Sequence, residues 1–199
     1  MRVKSIFVAM TAMCAMSTAA VPAPAQNRSM VIGDVTSQPI GHYDFCQTHR
    51  NECGPNRNVG PAALTAANWT MVRSVNTTVN ETITPMTDKE IYGKDEVWAY
   101  PTTAGDCEDF ALLKRRILIQ RGISPANLLI TVVRKPDGEG HAVLTLRTTD
   151  GDYVLDNLNS EVKPWFQTPY SFIKRQASNN AGRWVTIENG NDVLVGALR

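Results

Sequence analysis

The sequence predicts an α+β domain in which helices come first and an antiparallel sheet follows. Between residues 61 and 121 apolar side chains recur at helical spacing. From residue 128 onward the pattern changes to short runs rich in Val, Ile, Leu and Thr. Asp150-Gly151 lies between two such runs and reads as a hairpin turn. Helices segregated from strands along the chain point to helices packed on one antiparallel sheet. There is no internal repeat and no low-complexity tract.

Taken in order, residues 1–25 carry Arg2 and Lys4, an apolar run from Ile6 to Val21, and Ala23-Pro24-Ala25. A basic start, an apolar middle and a small-residue end make a secretory signal peptide cut near Ala25. The run is short for a membrane span, and Pro22 and Pro24 interrupt it. Export to the periplasm is expected. Residues 26–38 are polar and read as a flexible N-terminal segment. Residues 39–199 read as one domain, the usual outcome for a mature chain of about 174 residues.

Pro39 to Cys53 reads as a short helix stopped by Gly54-Pro55. Pro61 to Ile83 reads as a long one, with Leu64, Trp69, Val72, Val75, Val79 and Ile83 on its buried face. Asn68, Arg73, Asn76, Asn80 and Glu81 then fall on a solvated face. Thr87 to Pro101 reads as loop, with Trp98 either walling a cleft or anchoring the core. The next helix spans Cys107 to Arg121, with Asp106 at its N-cap and Gly122 and Pro125 beyond its end. Lys114, two turns from Cys107, reads as a solvated or bridging charge. Strands are predicted at residues 128–133, 142–146, 153–155, 184–187 and 193–195.

Loss of residues 1–25 removes two basic residues and no acidic one, so the formal charge of +1 becomes −1. Such a chain lacks the positive field that nucleic acid or an anionic membrane surface selects. No second apolar run is long enough to span a bilayer. Three cysteines remain, and in an oxidising compartment the neighbours Cys46 and Cys53 tend to pair, leaving Cys107 a free thiol. A zinc site from Cys46, Cys53, His42 and His49 is the competing reading, although the spacing fits no familiar zinc pattern.

A thiol at a helix N-terminus, with His141 and Asp156 downstream, is the set that nucleophilic cysteine chemistry requires. The helix end favours the thiolate, an imidazole accepts the proton, and a carboxylate fixes the imidazole tautomer. Counting residues across the hairpin exposes a difficulty. A two-residue turn at Asp150-Gly151 places Asp156 opposite Thr145, four residues or about 13 Å from His141. Parity puts both side chains on one face. A wider loop, or a bulge moving the pairing toward Thr148-Thr149, is therefore expected.

Asp88-Lys89-Glu90-Ile91-Tyr92-Gly93, Trp98, Gly105-Asp106-Cys107-Glu108-Asp109-Phe110-Ala111, Lys114, His141-Ala142-Val143-Leu144 and Leu155-Asp156-Asn157 together resemble the bacterial transglutaminase-like cysteine proteases. The best-known members are the LapG-type periplasmic proteases. Phe45-Cys46 and Glu52-Cys53 resemble that family's N-terminal cysteine pair. The resemblance covers nearly the whole mature chain. It implies a papain/transglutaminase-like core, with Cys107 as nucleophile, His141 as general base and acid, and Asp156 as orienting acid. It also implies a protein substrate, a large surface adhesin whose cleavage disperses biofilm, and restraint by an inner-membrane receptor for cyclic di-GMP. Calcium is implied at Asp106 and Glu108, with Asp109 a further candidate ligand. Plain helix capping is the alternative use of these acids. A transglutaminase-type acyl transfer would use the same three residues with an amine as acceptor, and a non-catalytic binding domain would keep only the fold.

Overall fold

The computed structural model describes residues 28–190, so the predicted signal peptide and the strand expected at 193–195 lie outside the described residues. Seven strands form one antiparallel sheet in the order β1-β9-β8-β4-β5-β6-β7. They are β1 (Ile32–Thr36), β4 (Leu128–Arg134), β5 (Gly140–Thr148), β6 (Gly151–Leu155), β7 (Lys163–Pro164), β8 (Ser171–Ala177) and β9 (Asn180–Ile187). Two short strands, β2 (Thr84–Pro85) and β3 (Ala104–Gly105), pair in parallel apart from it. The helices are α1 (Ile40–Thr48), α2 (Ala66–Thr82), α3 (Asp88–Tyr92) and α4 (Cys107–Gln120). No described helix is long and apolar enough to cross a membrane.

Packing follows from side-chain alternation. Leu144 and Leu146 of β5, with Leu155 of β6, join Val72, Val75 and Val79 of α2 and Phe110, Leu112 and Leu118 of α4 in the larger core cluster. Val143 and Val154, one residue out of phase, belong with Trp165, Tyr170 and Phe172 on the opposite face. The sheet is thus buried on both sides, and α4 lies against one of them. α2 starts with a capping box in which the Thr65 hydroxyl accepts from Asn68 N–H and the Asn68 carboxamide accepts from Thr65 N–H.

Several expectations are corrected. Residues 28–38, the described part of the segment expected to be flexible, are not loose. Met30 is 5% exposed, and β1 pairs with β9. The Arg28 carbonyl accepts from Asp152 N–H and Trp165 Nε1–H. Buried Asp152, held by Arg175 at 3.1 Å, accepts from Met30 N–H as well. These long-range bonds hold a segment whose own residues are polar. The stretch read as loop contains α3, with a capping box between Thr87 and Glu90 and Gly93 at φ +68° as its stop. Trp98 is a core residue, edge-on to both His42 and Trp184. His42 is buried as well, its ring nitrogens met by Trp184 Nε1–H and the Gln176 carboxamide.

The hairpin resolves the counting difficulty without any bulge. Thr148 pairs with Gly151 and Leu144 with Leu155 in an unbroken register, so the turn residues are Thr149 and Asp150 rather than Asp150 and Gly151. Gly151 closes the turn at φ +121°, where a Cβ would fall 2.4 Å from the Arg28 carbonyl. Continued past β6, this register sets Asp156 against Val143, two residues from His141 and about 6.6 Å along the strand. That diagonal is short enough for the two side chains to meet.

Candidate active site

α4 begins where β3 ends, and β3 is strapped to β2 by Thr84 N–H to the Thr103 carbonyl and Met86 N–H to the Gly105 carbonyl. This strap ties the end of α2 to the start of α4 and fixes where Cys107 emerges. At Gly105 an added Cβ would lie 2.7 Å from Asp109 Oδ2, so only glycine lets the chain turn into the helix this tightly. Cys107 is partly exposed, a free thiol at the first position of α4.

Cys107 and His141 lie together at the free corner of the sheet. The β5–β6 ladder begins only at Leu144, which leaves the Ala142 N–H beyond it without a strand partner. That N–H donates to Cys107 Sγ at 3.3 Å. His141 is 7% exposed and Asp156 4%. His141 Nε2 meets Asp156 Oδ1 at 2.9 Å. Because an ionised carboxylate only accepts, Nε2 carries a proton and Nδ1 is left as the basic nitrogen. Asp156 Oδ1 also accepts from Leu158 N–H at 3.0 Å, and Oδ2 from the Tyr170 hydroxyl at 2.5 Å. Burial pushes the Asp156 carboxyl up, but the donors His141, Tyr170 and Leu158 outweigh it and hold the group below the usual carboxylate range. Tyr170, whose ring lies 5.5 Å from that of His141, was not singled out from sequence. Its tie to Asp156 arises only in the folded chain.

An acidic cluster adjoins the thiol. Carboxylate oxygens of Asp88, Asp106 and Glu108 lie within 4.8 Å of one another. Asp106 occupies the N-cap position of α4 but makes no side-chain cap. Its Oδ1 and the Oδ1 of Asp88 are buried without a hydrogen-bond partner among the described residues. Burial, then proximity to the neighbouring acids, pushes the Asp106 carboxyl up to about 6 and Glu108 up to about 9. Asp88 is raised by burial too. Asp109 turns away, its Oδ1 accepting from Ala99 N–H at 2.8 Å, and burial pushes it up to about 7. The Cys107 thiol donates to Glu108 Oε2 at 3.1 Å, and burial together with that carboxylate pushes the thiol well above its ordinary range. Asp106 and Glu108 thus converge as expected, Asp88 joins them, and Asp109 stays outside.

The second metal reading fails. Cys46 and Cys53 are joined in a disulfide, which removes both thiolates from any zinc shell. His49 stacks on Phe45.

Lys114 is neither solvated nor bridging. It is 1% exposed, its Nζ finds no hydrogen-bond partner among the described residues, and the amine lies 5.7 Å over the Phe110 ring. Burial lowers it to about 7 against the pull of the Asp156 charge. The unfolded chain therefore binds more protons between about pH 7 and the ordinary 10.5, and stability rises with pH across that window. Lys114→Met should raise the melting temperature at pH 6 by several degrees, with the gain shrinking by pH 10. Melts of both proteins at the two pH values check this, and equal gains at both would refute it.

The chain matches the family model of the bacterial transglutaminase-like cysteine proteinases (BTLCP) over residues 32–192. Three structures of LapG from Legionella pneumophila share its fold, each with a TM-score of 0.51. The calcium-bound form is 24% identical and the comparison covers 65% of this chain and 80% of that one. The EGTA-treated form is 27% identical, with 61% and 68% covered. The third is 25% identical, with 65% and 74% covered. No curated protein matches the sequence.

Proposed function

Because the chain belongs to the bacterial transglutaminase-like cysteine proteinases, and is a cysteine peptidase of LapG type, we propose that Cys107, His141 and Asp156 form its catalytic triad. The carrying observation is the convergence of three elements. The thiol at the start of α4 is held by the Ala142 N–H of β5, and His141, one residue earlier on that strand, is bonded to Asp156 at 2.9 Å.

In this reading His141 Nδ1 takes the thiol proton as Sγ attacks the substrate carbonyl carbon. The new C–S bond gives a tetrahedral oxyanion, which the Cys107 N–H, in the helix's first turn where no intrahelical acceptor exists, can receive. Collapse breaks the C–N bond, and His141 passes its proton to the departing amine. Water then loses a proton to the same nitrogen and attacks the thioester, releasing a carboxylate and restoring the thiol. Asp156 keeps the imidazole in the tautomer with Nδ1 free and stabilises its cation.

Asp88, Asp106 and Glu108 fit a calcium ion. They offer hard oxygen donors, two of them buried and unpartnered, and their mutual repulsion calls for a cation. Bound there, calcium would cancel the negative field that opposes a thiolate at Cys107.

We further propose that the substrate is a large surface adhesin, that cleavage releases it and loosens biofilm, and that an inner-membrane receptor for cyclic di-GMP restrains the enzyme. A periplasmic setting accords with the Cys46–Cys53 disulfide. Surface and medium proteins should be compared between cells carrying the wild type and cells carrying Cys107→Ala. The variant should retain on the surface a full-length protein that the wild type sheds as a fragment. Identical protein sets would reject the adhesin role. Transfer of an added amine onto the acyl group, seen by mass spectrometry in place of hydrolysis, would reject the peptidase mechanism.

A further inference from the structure

Asn76 and Asn80 sit one turn apart on the face of α2 that hydropathy assigns to solvent, yet Asn76 is 0% exposed. Both carboxamides point at the chain that follows β6. Asn80 Nδ2 donates to the carbonyl of Asp156 at 2.9 Å and of Asn159 at 3.4 Å. Asn76 Nδ2 donates to the carbonyls of Asn159 at 3.1 Å and Ser160 at 2.9 Å. β6 ends at Leu155, so Asp156 is the first residue outside the ladder and no strand holds its backbone. We infer that Asn76 and Asn80 are positioning residues, a two-carboxamide clamp that sets the main chain at Asp156 so that its carboxylate meets His141.

The residue type fits this role. Three carbonyl acceptors, those of Asp156, Asn159 and Ser160, lie within reach of two side chains, and a carboxamide supplies two N–H donors. A carboxylate would repel the same carbonyls, and an aliphatic side chain would leave them unpaired on a buried surface. The clamp acts at a distance from substrate, through the orientation of a group that must be held within a fraction of an ångström. The burial of Asn76 also removes it as a glycan acceptor, despite the Asn76-Thr77-Thr78 triplet.

The inference rests on the triad reading, and the test separates the two. The pH dependence of Cys107 alkylation by iodoacetamide, followed by intact mass on the folded protein with its disulfide intact, reports the thiolate without needing a known substrate. Asp156→Ala should raise the midpoint and slow labelling at pH 6 about tenfold, the loss expected when the imidazolium partner is weakened. Asn80→Ser should move the midpoint in the same direction and slow labelling about three- to tenfold, and Asn76→Ser less. Val79→Ala, which trims α2 packing without touching the carbonyls, should lower the melting temperature and leave the midpoint alone. A midpoint unchanged in both asparagine variants while Asp156→Ala shifts it would overturn the clamp. A midpoint unchanged in Asp156→Ala would overturn the triad and the clamp with it. Should Asn80→Ser not fold, Asn80→His, which keeps a side-chain donor of similar reach, must retain the wild-type midpoint, and loss of it would count against the clamp.

Discussion

Cys107→Ser should lower peptidase turnover by about 10⁴-fold or more, on the scale seen when a triad member is lost, although it exchanges a single atom. Sγ is held by the Ala142 N–H at 3.3 Å, and burial together with the Glu108 carboxylate already opposes charge on it. An alcohol ionises far less readily than a thiol, and nothing in this site is arranged to strip a proton from it beyond one imidazole. The shorter C–O bond also withdraws the nucleophile from its anchor. The fold should be untouched, since Cys107 is only partly buried. Single-turnover assays with a peptide substrate, run beside melting curves, check both halves. Retention of more than a tenth of the activity would remove Cys107 from the nucleophile's role.

Chelation of calcium should reduce activity by about 10²–10³-fold, reversibly, and lower the melting temperature, with both restored by added calcium. The expectation stems from Asp88, Asp106 and Glu108, whose oxygens crowd within 4.8 Å, two of them facing no donor. A cation bound to the native state alone stabilises it by mass action. Asp88→Asn should weaken this response most selectively, because Asp88 lies eighteen residues before Asp106 in the sequence and touches neither the thiol nor His141. Thermal melts with and without calcium are the readout independent of activity. An Asp88→Asn protein with unaltered calcium dependence would exclude Asp88 as a ligand.

The parts of this molecule that could be read in the sequence are those governed by apolar periodicity and local punctuation. α4 was legible because a broad apolar face begins directly after Asp106 and stops at Gly122. β4, β5 and β6 were legible as β-branched runs. His141 and Asp156 were legible as the imidazole and carboxylate downstream of Cys107; parity put them on one face of a hairpin, and a shift of the turn by one residue supplied the proximity the count lacked. β1 was illegible because Ile32-Gly33-Asp34-Val35-Thr36 is short and polar and owes its place to β9 and to bonds at Arg28 and Met30. α3 did carry a readable sign, the Thr87-x-x-Glu90 box, which its short length obscured. Asn76 and Asn80 misled because α2 buries a second stripe against a polar turn, where carboxamides do the work that aliphatic residues do elsewhere. Tyr170 reaches the site only through tertiary contacts and leaves no local trace, and Asp88, though part of a run that resembles the family, shows its place beside Asp106 and Glu108 only in the folded chain.

One strand, β5, carries both the imidazole and the amide that anchors the sulfur, on adjacent residues. The spacing between nucleophile and base is therefore set by one peptide unit of β5 together with the docking of α4, which the Ala142 N–H pins at 3.3 Å from Sγ. Breathing of the outer strands can open the molecule elsewhere while that bond keeps the reacting pair together.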